Sequence, residues 1–105
     1  MDKLLSKANS LQGEEDMHIV VQKLSEEQKQ NLRIQNWPIW TKEISIFDWH
    51  YDSQEECFIL EGEVEVRTAD GEITSFGAGD FVTFPQGLDC TWVVKKPIRK
   101  HYRFQ

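Results

Sequence analysis

Four side chains in this chain have the chemistry of a site: His50, Glu55, Cys57 and Cys90. Side chains alternate between the faces of an extended strand, so Glu55 shares a face with Cys57 and Ile59, and Cys90 shares one with Trp92. If those faces meet and His50 joins them, a carboxylate, an imidazole and thiols make a mixed N/O/S set that suits zinc or iron. The opposing reading makes Cys57 and Cys90 small buried hydrophobes, a common fate of free cysteine, and this is the one we expect. A nucleophilic thiol would need a neighbouring base or cation to lower its pKa, and the sequence offers only His50 for that.

His50 lies in "FDWHYD", where it alternates with Asp48 while Trp49 and Tyr51 take the opposite face. One of those pairs faces the interior, and both choices stay open; an aromatic interior would leave His50 on the surface. His18 and His101 are expected in structural or surface settings. Glu55 carries more weight, because a carboxylate turned into a small apolar interior is costly unless paired or hydrogen-bonded. An Arg or Lys of another strand, or the Tyr51 hydroxyl, would satisfy it. Without such a partner its pKa would rise and it would be a candidate acid or base. We therefore expect a ligand-binding or hydrogen-bonding role for Glu55. Trp37, Trp40, Trp49 and Trp92 either wall a binding site or pack the core and a subunit interface, and packing is the expectation. The basic run "KKPIRK" is expected to be a solvated strand end, with a clamp for an anion or a partner chain as the alternative.

The elements that must position these residues are mostly strands. Residues 1–16 are polar, aperiodic and end in an acidic run, which predicts a mobile tail ahead of one domain over 17–105. "MHIVVQKL" reads as a β-branched strand. Ser25 with Gln28 three residues on forms a capping-box pattern that opens a helix of about two turns, seated by Leu24 and Leu32. Pro38 pushes Trp37 into extended geometry. From Thr41 onward the runs "EISIFDWHY", "EECFILEG", "EVEVRT", "EITSFG", "DFVTFP", "CTWVVKK" and "IRKHYRF" have strand length. Asp52-Ser53, Gly62, Asp70-Gly71, Gly77–Asp80, Pro85–Asp89 and Pro97 separate them as turn residues, and Asp70-Gly71 is a hairpin signal. Short strands at near-regular spacing predict an all-β sandwich or small barrel. "EVEVRT" alternates as a strand with one solvated side, whereas "ECFILE" is apolar on both faces, as suits a strand covered on both sides.

Composition narrows the function classes. The chain has 105 residues, enough for one small core, and a formal net charge of −6. That balance argues against nucleic acid or an anionic membrane surface as partner. No apolar run reaches transmembrane length, and the N-terminus lacks a secretory h-region with a cleavage site. Two cysteines do not make a secreted disulfide framework, so a cytoplasmic setting is expected.

Two segments, "ECFILEGEVEV" and "GDFVTFPQGLDCTW", together resemble the paired motifs of the cupin superfamily, small antiparallel jelly-roll β-barrels. Glu55 and Gly62 match the end of the first motif, and Gly79, Pro85 and Gly87 match the second. Together with "WPIW", "DWHYD" and "KHY", the pattern is similar to stand-alone single-domain cupins of unknown function related to the cupin domains of ureidoglycine aminohydrolases. The resemblance implies an all-β jelly-roll with a lumen, often dimeric, and no assigned reaction. It also implies where a metal site would fall: Glu55 takes the glutamate place and Cys90 the last histidine place. The first two histidine places fall on Trp49 and Tyr51, or on Asp48 and His50 with a spacer one residue longer. The lumen candidates are thus Glu55, Cys57, Cys90, Trp92, Tyr51 and Trp49. Three functions follow as expectations. The first is binding of a small polar or aromatic metabolite in the lumen of a homodimer. The second is a metal-dependent hydrolase, isomerase or dioxygenase with His50, Glu55 and Cys90 holding zinc, iron, manganese or nickel. The third is a structural role.

Overall fold

The computed structural model of the protein describes residues 17–105, so the expected N-terminal tail lies outside the described residues. Seven strands and one short helix follow in the order β1 (Val20–Gln22), α1 (Glu26–Leu32), β2 (Ile39–Lys42), β3 (Ser45–His50), β4 (Glu55–Thr68), β5 (Ile73–Gly77), β6 (Phe81–Phe84) and β7 (Asp89–Phe104). Every pairing is antiparallel. No helix among the described residues is long and apolar enough to cross a membrane.

Two long strands organise the sheet. The sequence predicts turns at Gly62 and Pro97, yet each lies inside one continuous strand, β4 and β7, which pair along their length. The register between them slips from Ile59 to Val64, a bulge rather than a turn. Gly62 has φ +109°, and a Cβ there would lie 2.6 Å from the Pro97 carbonyl oxygen, so the close approach of β7 admits only glycine. Pro97, exposed at the same bend, has no N–H for the ladder to lose.

The bulge changes which side chains face the core. Before it the buried residues of β4 are Glu55, Cys57 and Ile59; after it they are Val64 and Val66, of opposite parity. β7 keeps one parity throughout, burying Cys90, Trp92, Val94, Ile98 and Lys100. The first half of β4 continues the sheet through β6 to β1, and the second half through β5. On the far side of β7, β3 pairs with its first half and β2 with its second. The two halves contribute to one core, with Ile59, Val82 and Phe84 from one and Val66, Phe76 and Trp92 from the other. The all-β, antiparallel architecture is as expected, but the sheet is not closed into a barrel: its strand path runs from β1 to β2 without joining them.

The helix is where the capping box predicts it. Ser25 Oγ accepts from the Gln28 N–H, and Gln28 Oε1 accepts from the Ser25 N–H at 2.8 Å. Leu24 and Leu32 are only half-buried; the anchor is Ile34, just past the helix. This segment covers the outer side of β4, where Lys29 sits over the Phe58 ring, so "ECFILE" is apolar on both faces for the reason expected. Asp70-Gly71 forms the β4–β5 hairpin, with Gly71 at φ +90°.

Candidate functional site

A cavity of about 190 Å³ opens between the two halves of the sheet. β3 supplies Phe47 and Trp49, β2 supplies Trp40, and β7 supplies Trp92, Lys100, Tyr102 and Phe104. Tyr51 and Glu55 complete the lining. The choice left open at "FDWHYD" is thus resolved: Trp49 and Tyr51 face the cavity, while Asp48 and His50 face outward.

The polar centre of this aromatic cavity is an ion pair. Lys100 Nζ lies 2.6 Å from Glu55 Oε2, with the two side chains 6 % and 4 % exposed. The ammonium also stands over the ring faces of Trp92 at 4.8 Å and Trp40 at 4.9 Å, an arrangement that stabilises a cation where little water can. Breaking such a pair leaves an uncompensated charge, so each partner holds the other in place. The expectation that a Lys or Arg of another strand satisfies Glu55 is met.

Around the pair the rings hold one another. Trp92 stacks on Phe47 at 5.9 Å and meets Trp40 edge-on at 5.9 Å, while Tyr51 stacks on Phe84 at 4.8 Å. The Tyr51 backbone is pinned by Tyr51 N–H to the Leu88 carbonyl and Gly87 N–H to the Tyr51 carbonyl. The Tyr51 hydroxyl accepts from Trp92 Nε1 at 3.2 Å. Burial first, then the Glu55 charge, pushes the Tyr51 phenol far above its usual pKa, so it remains a protonated donor at any pH the protein meets.

The other sequence candidates lie elsewhere. Cys57 is fully buried in the core and does not line the cavity; burial pushes its thiol up to about 12. Cys90 lies beside the Trp49 carbonyl at 3.7 Å, next to an outer cleft, and burial followed by the Asp89 and Asp48 charges pushes it up to about 11. Both are protonated at neutral pH, the opposite of what a nucleophile needs. His50 Nδ1 bonds Asp89 Oδ1 at 2.7 Å on the surface and does not converge with Glu55.

The described residues around the cavity therefore do not fit a metal. Among the described residues no three His, Cys, Asp or Glu side chains form a metal-binding group. Trp49 and Tyr51, at one of the two pairs of positions where the motif resemblance puts histidines, face the cavity with rings, and the buried Glu55 carboxylate is paired with the Lys100 ammonium.

Lys100 is the residue the sequence reading misses, taken there for part of a solvated basic end. Its signal is parity: counting by twos from Trp92 reaches Lys100, provided Pro97 is read as mid-strand. Tryptophan behaves in both expected ways. Trp40, Trp49 and Trp92 line the cavity, whereas Trp37 packs on Phe81 and under Arg103, outside it.

Comparison with known proteins agrees with this architecture. The EutQ-like cupin domain model matches residues 29–102. A DUF861 family protein from Thermotoga maritima is 49% identical, with a TM-score of 0.83, covering 84% of this chain and 100% of that one. A putative ethanolamine utilization protein Q from Salmonella typhimurium is 24% identical, with a TM-score of 0.56, over 80% of this chain and 66% of that one. The EutQ protein of Clostridium difficile is 17% identical, with a TM-score of 0.57, over 85% and 75%. The last two likenesses show the fold alone. No curated protein matches the chain.

Proposed function

Because the chain belongs to the EutQ-like cupin domain family, we propose that it is a small-molecule binding protein whose ligand enters the aromatic cavity and meets the Glu55–Lys100 pair. The observation that carries this reading is a cavity of about 190 Å³ walled by rings, with a buried ion pair and a phenol at its surface. Concave, mostly apolar pockets with a few convergent polar groups are the usual form of ligand sites. The narrower kinship to ureidoglycine aminohydrolase cupin domains belongs to the same proposal and is supported by the motif resemblance. So does a homodimer, supported by Ile44 and Ile46, exposed near β3, which pairs only with β7 among the described strands.

The tryptophans make a test with an internal control. In a ¹⁵N-labelled sample titrated with a library of one-ring fragments, the indole N–H signals of Trp40, Trp49 and Trp92 should move while that of Trp37 stays. A library that moves no indole signal, or moves all four alike, would overturn the proposal.

A further inference from the structure

The polar groups around the cavity specify a ligand class, an inference that rests on the binding reading above. Lys100 gives one N–H to Glu55 Oε2, and its remaining N–H donors have no acceptor oxygen among the described residues. Glu55 Oε1 has no described partner, and the Tyr51 hydroxyl accepts from Trp92 while its own proton has no described acceptor. The cavity therefore presents donors beside one acceptor oxygen. Its fixed charges cancel, because the carboxylate and ammonium are one pair.

Charge cancellation decides between ligand types. A carboxylate would leave a net negative charge among rings, beside Glu55, and an amidinium would leave a net positive one beside Lys100. Either desolvated charge is costly without a counter-ion of its own. A neutral group holding a carbonyl oxygen next to an N–H answers both sides: the oxygen takes the Lys100 or Tyr51 donor, and the N–H gives to Glu55 Oε1. Size and shape add the rest. An apolar cavity of about 150 Å³ holds one benzene ring, so this one, of about 190 Å³, holds a ring with one small polar substituent. The Trp40, Trp92 and Phe47 rings present faces and edges against which a planar molecule packs.

We propose that the cavity selects a compact, planar, neutral ligand bearing a primary amide or lactam on one aromatic ring. In this arrangement the Glu55–Lys100 pair acts as a specificity determinant, matching a donor–acceptor couple and rejecting net charge.

Three isosteric probes, benzamide, benzoate and benzamidine, with toluene as the apolar control, test it, each titrated into the full chain and followed by the indole signals. Benzamide should bind at least tenfold more tightly than benzoate or benzamidine, and more tightly than toluene. Tyr51→Phe should weaken benzamide about fivefold relative to toluene, the worth of one hydrogen bond. Glu55→Gln, which leaves Lys100 without its counter-charge, should reverse the order so that benzoate exceeds benzamide. Equal or tighter binding of benzoate or benzamidine by the unaltered protein would overturn the selectivity while leaving the cavity a binding site. Binding of toluene as tight as benzamide would overturn it too. Failure of all four compounds, together with the wider fragment library, would sink the binding reading itself. If Glu55→Gln does not fold, the probe order in the unaltered protein and the Tyr51→Phe loss decide the matter.

Discussion

The Lys100 ammonium lies 2.6 Å from the Glu55 carboxylate, both almost wholly removed from solvent, and each is the other's only described charge partner. Removing one member should cost far more than removing both. Lys100→Met leaves a carboxylate among rings and is expected to lower stability by about 3–5 kcal/mol. The double variant Glu55→Gln with Lys100→Met should recover most of that. Urea unfolding of the two singles and the double measures the coupling. Single variants that lose less than about 1 kcal/mol would mean the pair is screened as a surface pair is.

That pair also bears on metal content. The Glu55 carboxylate is engaged by Lys100, and the side chains beside it in the cavity wall are the rings of Trp49 and Tyr51, which offer no imidazole to a metal. Protein purified without chelator and assayed by elemental mass spectrometry should carry no stoichiometric transition metal. A full equivalent that disappears in Cys90→Ser would restore the mixed-ligand reading with His50, Glu55 and Cys90.

How far the sequence could be read depended on what was local. The capping box at Ser25, the Asp70-Gly71 hairpin and the alternation of "EVEVRT" are written in neighbouring residues, and each is found in place. Glu55 stood out because a carboxylate beside Cys57 and Ile59 demands a partner. Which residue answers was not legible, since it depends on β7 running straight through Pro97 while β4 bulges at Gly62. A turn assigned at Pro97 breaks the parity count that brings Lys100 inward. The same uncertainty of register left the "FDWHYD" face open, for nothing in those residues tells that Trp49 rather than His50 looks inward. Cys57 and Cys90 share their strand faces with Glu55 and Trp92 as alternation requires, yet Cys57 lies in the core and Cys90 beside an outer cleft, and neither lines the cavity.

Gly62 and Gly71 both have positive φ, but the space around them differs. A Cβ at Gly62 would lie 2.6 Å from the Pro97 carbonyl oxygen and 2.7 Å from the Ile98 Cα, backbone that cannot yield without opening the β4–β7 pairing. A Cβ at Gly71 meets nothing within 4 Å. Gly71→Ala should therefore cost about 1–2 kcal/mol, the strain of left-handed backbone alone. Gly62→Ala should cost clearly more and loosen the cavity, because the bend brings Lys100 and Trp92 to the same space. Thermal melts of the two variants decide the comparison, and equal losses would show that the bulge tolerates a side chain.

Cys57 and Cys90 begin the alkaline decline of the fold, and the buried Tyr51 phenol adds to it above pH 10. A thiol whose pKa is raised on folding holds its proton in the native state after the unfolded chain has lost it. Below pH 9 both states are protonated and neither cysteine makes stability depend on pH. Above pH 9 the unfolded chain gains by ionising, so native stability falls as pH rises, until the native pKa of about 12 for Cys57 and about 11 for Cys90 is passed. For Cys57, which stands almost fully buried, the three-unit rise corresponds to about 4 kcal/mol lost across that window. Unfolding midpoints should therefore hold between pH 7 and 8.5 and drop between pH 9 and 11. Cys57→Ala should start lower because of its lost packing, yet show a shallower alkaline decline. Between pH 7 and 9 native alkylation by iodoacetamide should stay slow at both thiols and become fast only in denaturant. A Cys90 that alkylates readily at pH 7 in the native protein would mean that its thiolate is stabilised after all, and would return it to the list of reactive groups.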